Sequence, residues 1–88
     1  MDAYSIRFKP SIEKDLRPLT QPLVSRLLKR IDSLKNDPFP HGASKLSGAE
    51  RLYRIRVGDY RIVYEVDTQA LQVTIHYVRH RRDVYRNL

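Results

Sequence analysis

Three consecutive runs in the second half of this chain repeat their apolar residues at every second position, and that period limits the folds open to it. In the first run Tyr53, Ile55 and Val57 face one way while Leu52, Arg54 and Arg56 face the other. Gly58-Asp59 then turns the chain, and Tyr60, Ile62, Tyr64 and Val66 alternate with Arg61, Val63 and Glu65. After a second turn at Asp67-Thr68-Gln69-Ala70, the expected core face of a third run carries Leu71, Val73, Ile75 and Tyr77. Short connections between such runs predict an antiparallel meander. A register error of one residue would bury Arg54, Arg56 and Arg61, and unpaired buried guanidiniums are prohibitively costly. The alternation therefore gathers those three arginines on the face away from the core.

The first half has other spacings. Tyr4, Ile6 and Phe8 alternate as one strand, which closes at Lys9-Pro10. Pro10 suits a first helical turn, and Ile12, Leu16 and Leu19 recur at helical spacing until Pro18 ends a short helix. Thr20 and Pro22 open a longer one with an apolar stripe of Leu23, Leu27, Ile31 and Leu34, stopped at Asn36-Asp37-Pro38. Phe39 to Ala43 reads as a loop. The order β-α-α-β-β-β predicts an α+β fold: two N-terminal helices on one face of a mainly antiparallel four-stranded sheet, rejoined by the opening strand. Arg79 to Leu88 is expected to form a short tail or helix. With 88 residues there is material for a single domain, 1–88.

Charge narrows the partners. The chain carries a formal net charge of +7, which favours a polyanion, and nucleic acid is the commonest one for a small basic domain. Lysine is absent after Lys45, yet eight of the 38 residues from Arg51 to Leu88 are arginine. Arginine grips phosphate through two parallel hydrogen bonds where lysine offers a point charge. Without cysteine there is no disulfide, thiolate zinc site or thiol nucleophile, and His41, His76 and His80 make no recognisable metal motif. No metal or cofactor is expected. Neither a signal peptide nor a membrane span is legible, so the expected location is the cytoplasm.

Asp59 and Glu65 are separated by strand geometry and supply no carboxylate pair for a magnesium-dependent nuclease. Ser44 and Ser47 lack a nucleophile-elbow context. What remains is metal-free phosphodiester cleavage, in which an RNA 2′-hydroxyl attacks its own phosphate while the protein stabilises charge and moves two protons. Guanidiniums around Tyr85 would lower its pKa, and His80 is the nearby group whose ordinary pKa suits proton transfer. Each of these residues also has a plainer reading. Tyr85 fits an anchor packed on the sheet, Arg61 fits a partner of Glu65, and Arg54 and Arg56 fit charged guards of an edge strand. The basic faces of the helices fit solvated surface.

Three stretches, Lys45-Leu46-Ser47-Gly48, Leu52 to Tyr64, and His80-Arg81-Arg82-Asp83-Val84-Tyr85-Arg86, resemble the RelE/ParE toxin superfamily, and within it the RelE branch of toxin-antitoxin modules. The resemblance spans essentially the whole chain. It implies a toxin that enters the ribosomal A site against 16S rRNA, cuts mRNA there, and is silenced by a RelB-like antitoxin. Carried over by position, Lys45, Arg54 and Arg56 look like groups that hold the RNA backbone, Arg61 and Arg81 like a phosphate-stabilising pair, and Tyr85 like the tyrosine that stacks on a base and takes the 2′-hydroxyl proton. Arg79 and Arg81 compete for one role, with Arg81 preferred, and Arg82 and Arg79 join the RNA-binding set. The first meander strand departs from well-known members in carrying arginine where they often carry lysine. The alternative within the superfamily is a ParE-like inhibitor of DNA gyrase that does no chemistry.

Overall fold

The computed structural model describes residues 4–46, 48 and 51–82. Strand β1 (Ser5–Phe8) leads into a single turn of helix α1 (Ile12–Leu16) and then into α2 (Gln21–Asp32), which tightens into a 3₁₀ turn at Ser33–Lys35. Strands β2 (Ser44–Lys45), β3 (Leu52–Val57), β4 (Tyr60–Asp67) and β5 (Gln72–His80) complete the described residues. The sheet has five strands in the order β1-β5-β4-β3-β2. β1 returns to pair in parallel with β5, and the other neighbours are antiparallel. The expected four-strand count is therefore one short, because β2 is only two residues long and has no periodicity to read.

The two helices cover one face. Leu27, Ile31 and Leu34 are buried against Ile55, Ile62, Tyr64, Val66, Val73, Ile75 and Val78, with Ile12 closing the side beneath α1. Each such aliphatic side chain contributes about 1.5–3 kcal/mol by leaving water. The Tyr64 hydroxyl donates to the Pro38 carbonyl at 2.8 Å and so ties the loop after α2 to the core. Among the described residues no helix is long and apolar enough to cross a membrane.

The third meander strand departs from simple alternation. β4 and β5 pair Val63 with Tyr77 but Tyr64 with Ile75, so His76 is an extra residue at a β-bulge. The bulge reverses the parity of everything after Ile75. Val78 takes the core position opposite Ile62, whereas Tyr77, expected in the core, stands opposite Val63 on the face away from the helices. Leu71 is not in the strand. It is 44% exposed in the β4–β5 turn with φ +54°. That turn is built by Asp67, whose Oδ1 accepts the amides of Gln69 at 3.0 Å and Ala70 at 2.9 Å. The Ala70 and Gln69 hydrogen bonds, with Arg51 nearby, hold the Asp67 carboxyl below its ordinary range against a smaller desolvation effect.

Candidate nucleic-acid interface

The face away from the helices carries a row of arginines. Arg56 on β3 stands opposite Arg61 on β4, and Arg61 stands opposite Arg79 on β5. Had His76 paired in regular alternation and not bulged, Arg79 would point to the helices. Like charges directly opposite one another across strands are destabilising, so a row of three argues for an anionic ligand rather than for stability. Arg54, Arg56 and Arg61 line a cleft of about 230 Å³ together with Gly42, Ser44 and Ile55. Gly42 adopts φ +98°, a conformation that favours glycine, where the loop swings up to deliver Ser44.

Arg79 differs from its neighbours. Its Nε lies 3.9 Å from Asp15 Oδ1, and its guanidinium carbon sits 4.6 Å above the Tyr77 ring. Asp15 is itself fixed, because its Oδ2 accepts the Val78 amide at 3.0 Å, where β5 has run past the end of β1. Arg79 is thus drawn toward α1. The Arg81 amide donates to the Asp59 carbonyl at 2.8 Å, which holds the exposed Arg81 beside the β3–β4 turn.

The remaining candidates do not all converge. Lys45 stands opposite Tyr53 in the β2–β3 register and so shares the helix side of the sheet; its neighbour Ser44, opposite Arg54, is the one that lines the cleft. His80 stands opposite Tyr60, and their rings meet edge to face at 5.2 Å, on the side away from the arginine row. Its Nδ1 accepts the amide of the exposed Arg82 at 3.3 Å, so Nε2 carries the proton of the neutral ring. Tyr85 lies outside the described residues. Glu65, weighed as a partner for Arg61, is engaged by His76 Nε2 at 3.0 Å and by Arg51 at 3.9 Å. Arg51 also reaches Asp67 at 3.4 Å, so this end of the face is charge-compensated. Sequence reasoning missed Ser44, Asp15 and Tyr77. Only Gly42, just before β2, hinted at a turn there.

This arrangement, basic residues on the exposed face of a small helix-covered sheet, coincides with a known toxin class. The family described as ParE toxin of type II toxin-antitoxin system, parDE, matches residues 6–85, and the chain belongs to it. It is a type II toxin of the RelE kind. Toxin RelG of Mycobacterium tuberculosis is 27% identical over 84 residues, covering 94% of this chain and 97% of that protein. Among solved structures, the archaeal RelE-RelB complex from Pyrococcus horikoshii is similar with a TM-score of 0.80 and 30% identity, covering 90% of this chain and 96% of that one. The RelB-RelE complex from Methanococcus jannaschii is similar with a TM-score of 0.77 and 27% identity, covering 93% and 98%.

Proposed function

We propose that this toxin is a ribosome-dependent endoribonuclease that cuts mRNA in the A site, without a metal, and so stops translation. The observation that carries the reading is the register of Arg56, Arg61 and Arg79 across three strands, with Arg54, Arg56 and Arg61 around one cleft. In the reaction the RNA 2′-oxygen loses its proton and bonds to the adjacent phosphorus as the bond to the 5′-oxygen breaks. The products are a 2′,3′-cyclic phosphate and a 5′-hydroxyl. Arg61 and Arg81 stabilise the charge that builds on the phosphate oxygens, and Arg54 and Arg56 hold the strand. Tyr85, as its phenolate, takes the 2′-hydroxyl proton; Arg81 hydrogen-bonds the leaving 5′-oxygen, which takes its proton from water.

Arg79, held by Asp15 and Tyr77, leaves the phosphate role to Arg81. His80, packed on Tyr60 with its Nδ1 on the Arg82 amide, orients the chain that carries Arg81. Lys45 and Arg82 contribute charge from the rim. A RelB-like antitoxin, acidic where it crosses the arginine row, silences the toxin; two similar toxins are solved as complexes with RelB.

The ParE description of the matching family keeps gyrase inhibition as the rival reading. Primer extension on a translated reporter mRNA, beside a supercoiling assay, separates the two. Codon-phased cuts that vanish in an Arg61→Ala/Tyr85→Phe variant establish the nuclease. Intact mRNA with blocked supercoiling would overturn it.

A further inference from the structure

A second basic groove lies around the corner from the arginine row. Arg26, Lys29, Arg30 and Ser33 recur on one face of α2 and its 3₁₀ extension, and with Arg56 and Gly58 they line a space of about 530 Å³ beside the β3–β4 turn. Local bonds fix its walls. Arg30 Nη1 donates to Ser33 Oγ at 3.3 Å, and the Ser33 hydroxyl donates to the Arg30 carbonyl at 2.6 Å. Arg56 Nε donates to the Gly58 carbonyl at 3.4 Å. The Arg26 guanidinium comes so close to this turn that a Cβ on Gly58 would stand 3.6 Å from its Nη2.

Among the described residues no carboxylate lies within ion-pair distance of Arg26, Lys29, Arg30 or Arg56. Asp32, the one acidic residue of α2, is engaged by Lys35 at 2.8 Å. Cations spaced three and four apart on a helix repel one another, which offsets part of what Lys29 and Arg30 gain from the C-terminal end of α2. A solvated face would scatter its charges or pair them. Arg56 also lines the cleft that holds Arg54 and Arg61, which makes the two basic surfaces one track around the rim at Gly58.

We propose that the α2 groove binds the phosphodiester backbone of RNA, continuing the strand held by the arginine cleft. The proposal rests on the nuclease reading for the identity of the polyanion, and its test separates the two. The probe is a non-cleavable 2′-O-methyl RNA dodecamer, its affinity for the full-length protein measured across a salt series. The variants are Arg26→Gln/Lys29→Gln and, as a cleft control, Arg61→Ala. Removing two phosphate contacts makes the plot of log K against log salt shallower by about 1.4 and weakens binding about 15-fold near 0.15 M salt. A thermal melt no lower than that of the parent shows that folding is intact, since the change relieves like-charge repulsion.

The same loss seen with isolated small ribosomal subunits but not with the dodecamer would overturn the continuous track, since the groove would then take folded ribosomal RNA and not the strand held by the cleft. An unchanged slope with both probes overturns the groove proposal while leaving the cleft control to report on the nuclease reading. If the variant instead loses affinity for an acidic peptide and not for either RNA, the groove is a protein-docking surface and the proposal fails. No RNA binding by the parent protein would sink the nuclease reading itself.

Discussion

Replacing Tyr64 by Phe tests how the core holds the loop that feeds the cleft. The Tyr64 ring is wholly buried, and its hydroxyl donates to the carbonyl of Pro38, a buried residue. Removing the hydroxyl leaves that carbonyl without its donor, at a cost of about 1–2 kcal/mol near neutral pH. Burial pushes the Tyr64 phenol up to about 12, against a partial lowering by Arg30, with Tyr53 and Asp37 adding to the rise. A pKa raised on folding contributes stability that is complete below the unfolded value near 10 and is lost as pH climbs through 12. The full effect is about 2.7 kcal/mol, of which about 1.4 kcal/mol is gone by pH 11. Phenylalanine has no proton to lose, so the gap between parent and Tyr64→Phe closes near pH 11 and inverts above it. Urea midpoints followed by circular dichroism from pH 7 to 11.5 measure this directly. Using the difference cancels the other tyrosines and the lysines. A gap that stays constant through pH 11.5 would refute the burial of the phenol, and the absence of a gap at pH 7 would refute the role of its hydrogen bond.

Asp15→Ala strands the amide of Val78, itself 3% exposed, and should cost about 1–3 kcal/mol in chemical denaturation. Asp15→Asn keeps an acceptor there and should cost less; equal losses would mean that the bond to Val78 carries no weight. Charge reversal at Arg81, an exposed position, is expected to abolish toxicity while shifting stability by no more than about 0.5 kcal/mol. Arg61→Gln should slow RNA cleavage by about 10²–10³-fold, the effect of losing one group that stabilises developing charge, and a variant that cuts at the parent rate would remove Arg61 from the site. Deleting His76 converts the bulged ladder into a regular one and leaves Arg79 opposite Arg61, so the protein should still fold; inserting Ala after His76 turns Val78 outward and Arg79 inward, a loss of roughly 3 kcal/mol or more. Comparable melting of the two variants would contradict the bulge.

Arg54, Arg56 and Arg61 were readable on the open face because the penalty for burying a guanidinium exceeds any competing preference, so their identity alone sets the register of β3 and β4. β5 had no such constraint before Arg79. Val73 and Ile75 obey the alternation, but the extra residue at His76 has no glycine or proline to mark it, and an aromatic such as Tyr77 fits either side of a sheet. Extending the simple alternation would have sent Arg79 into the core with Tyr77, the same costly burial that excluded the wrong register on β3. A bulge between Ile75 and Arg79 resolves that conflict, and its presence was therefore implied by the arginine even though its position was not. Leu71 misleads for the opposite reason: apolar and in phase, it serves the left-handed position of a turn that Asp67 organises through two amides. His80 shows what parity does to a catalytic assignment. One position after Arg79, it must face the helices if Arg79 faces the arginine row, and the Tyr60 ring is what it meets there. Adjacency in sequence to Arg79 and Arg81 made it a candidate for proton transfer; its register opposite Tyr60 turns the ring toward the helix side instead.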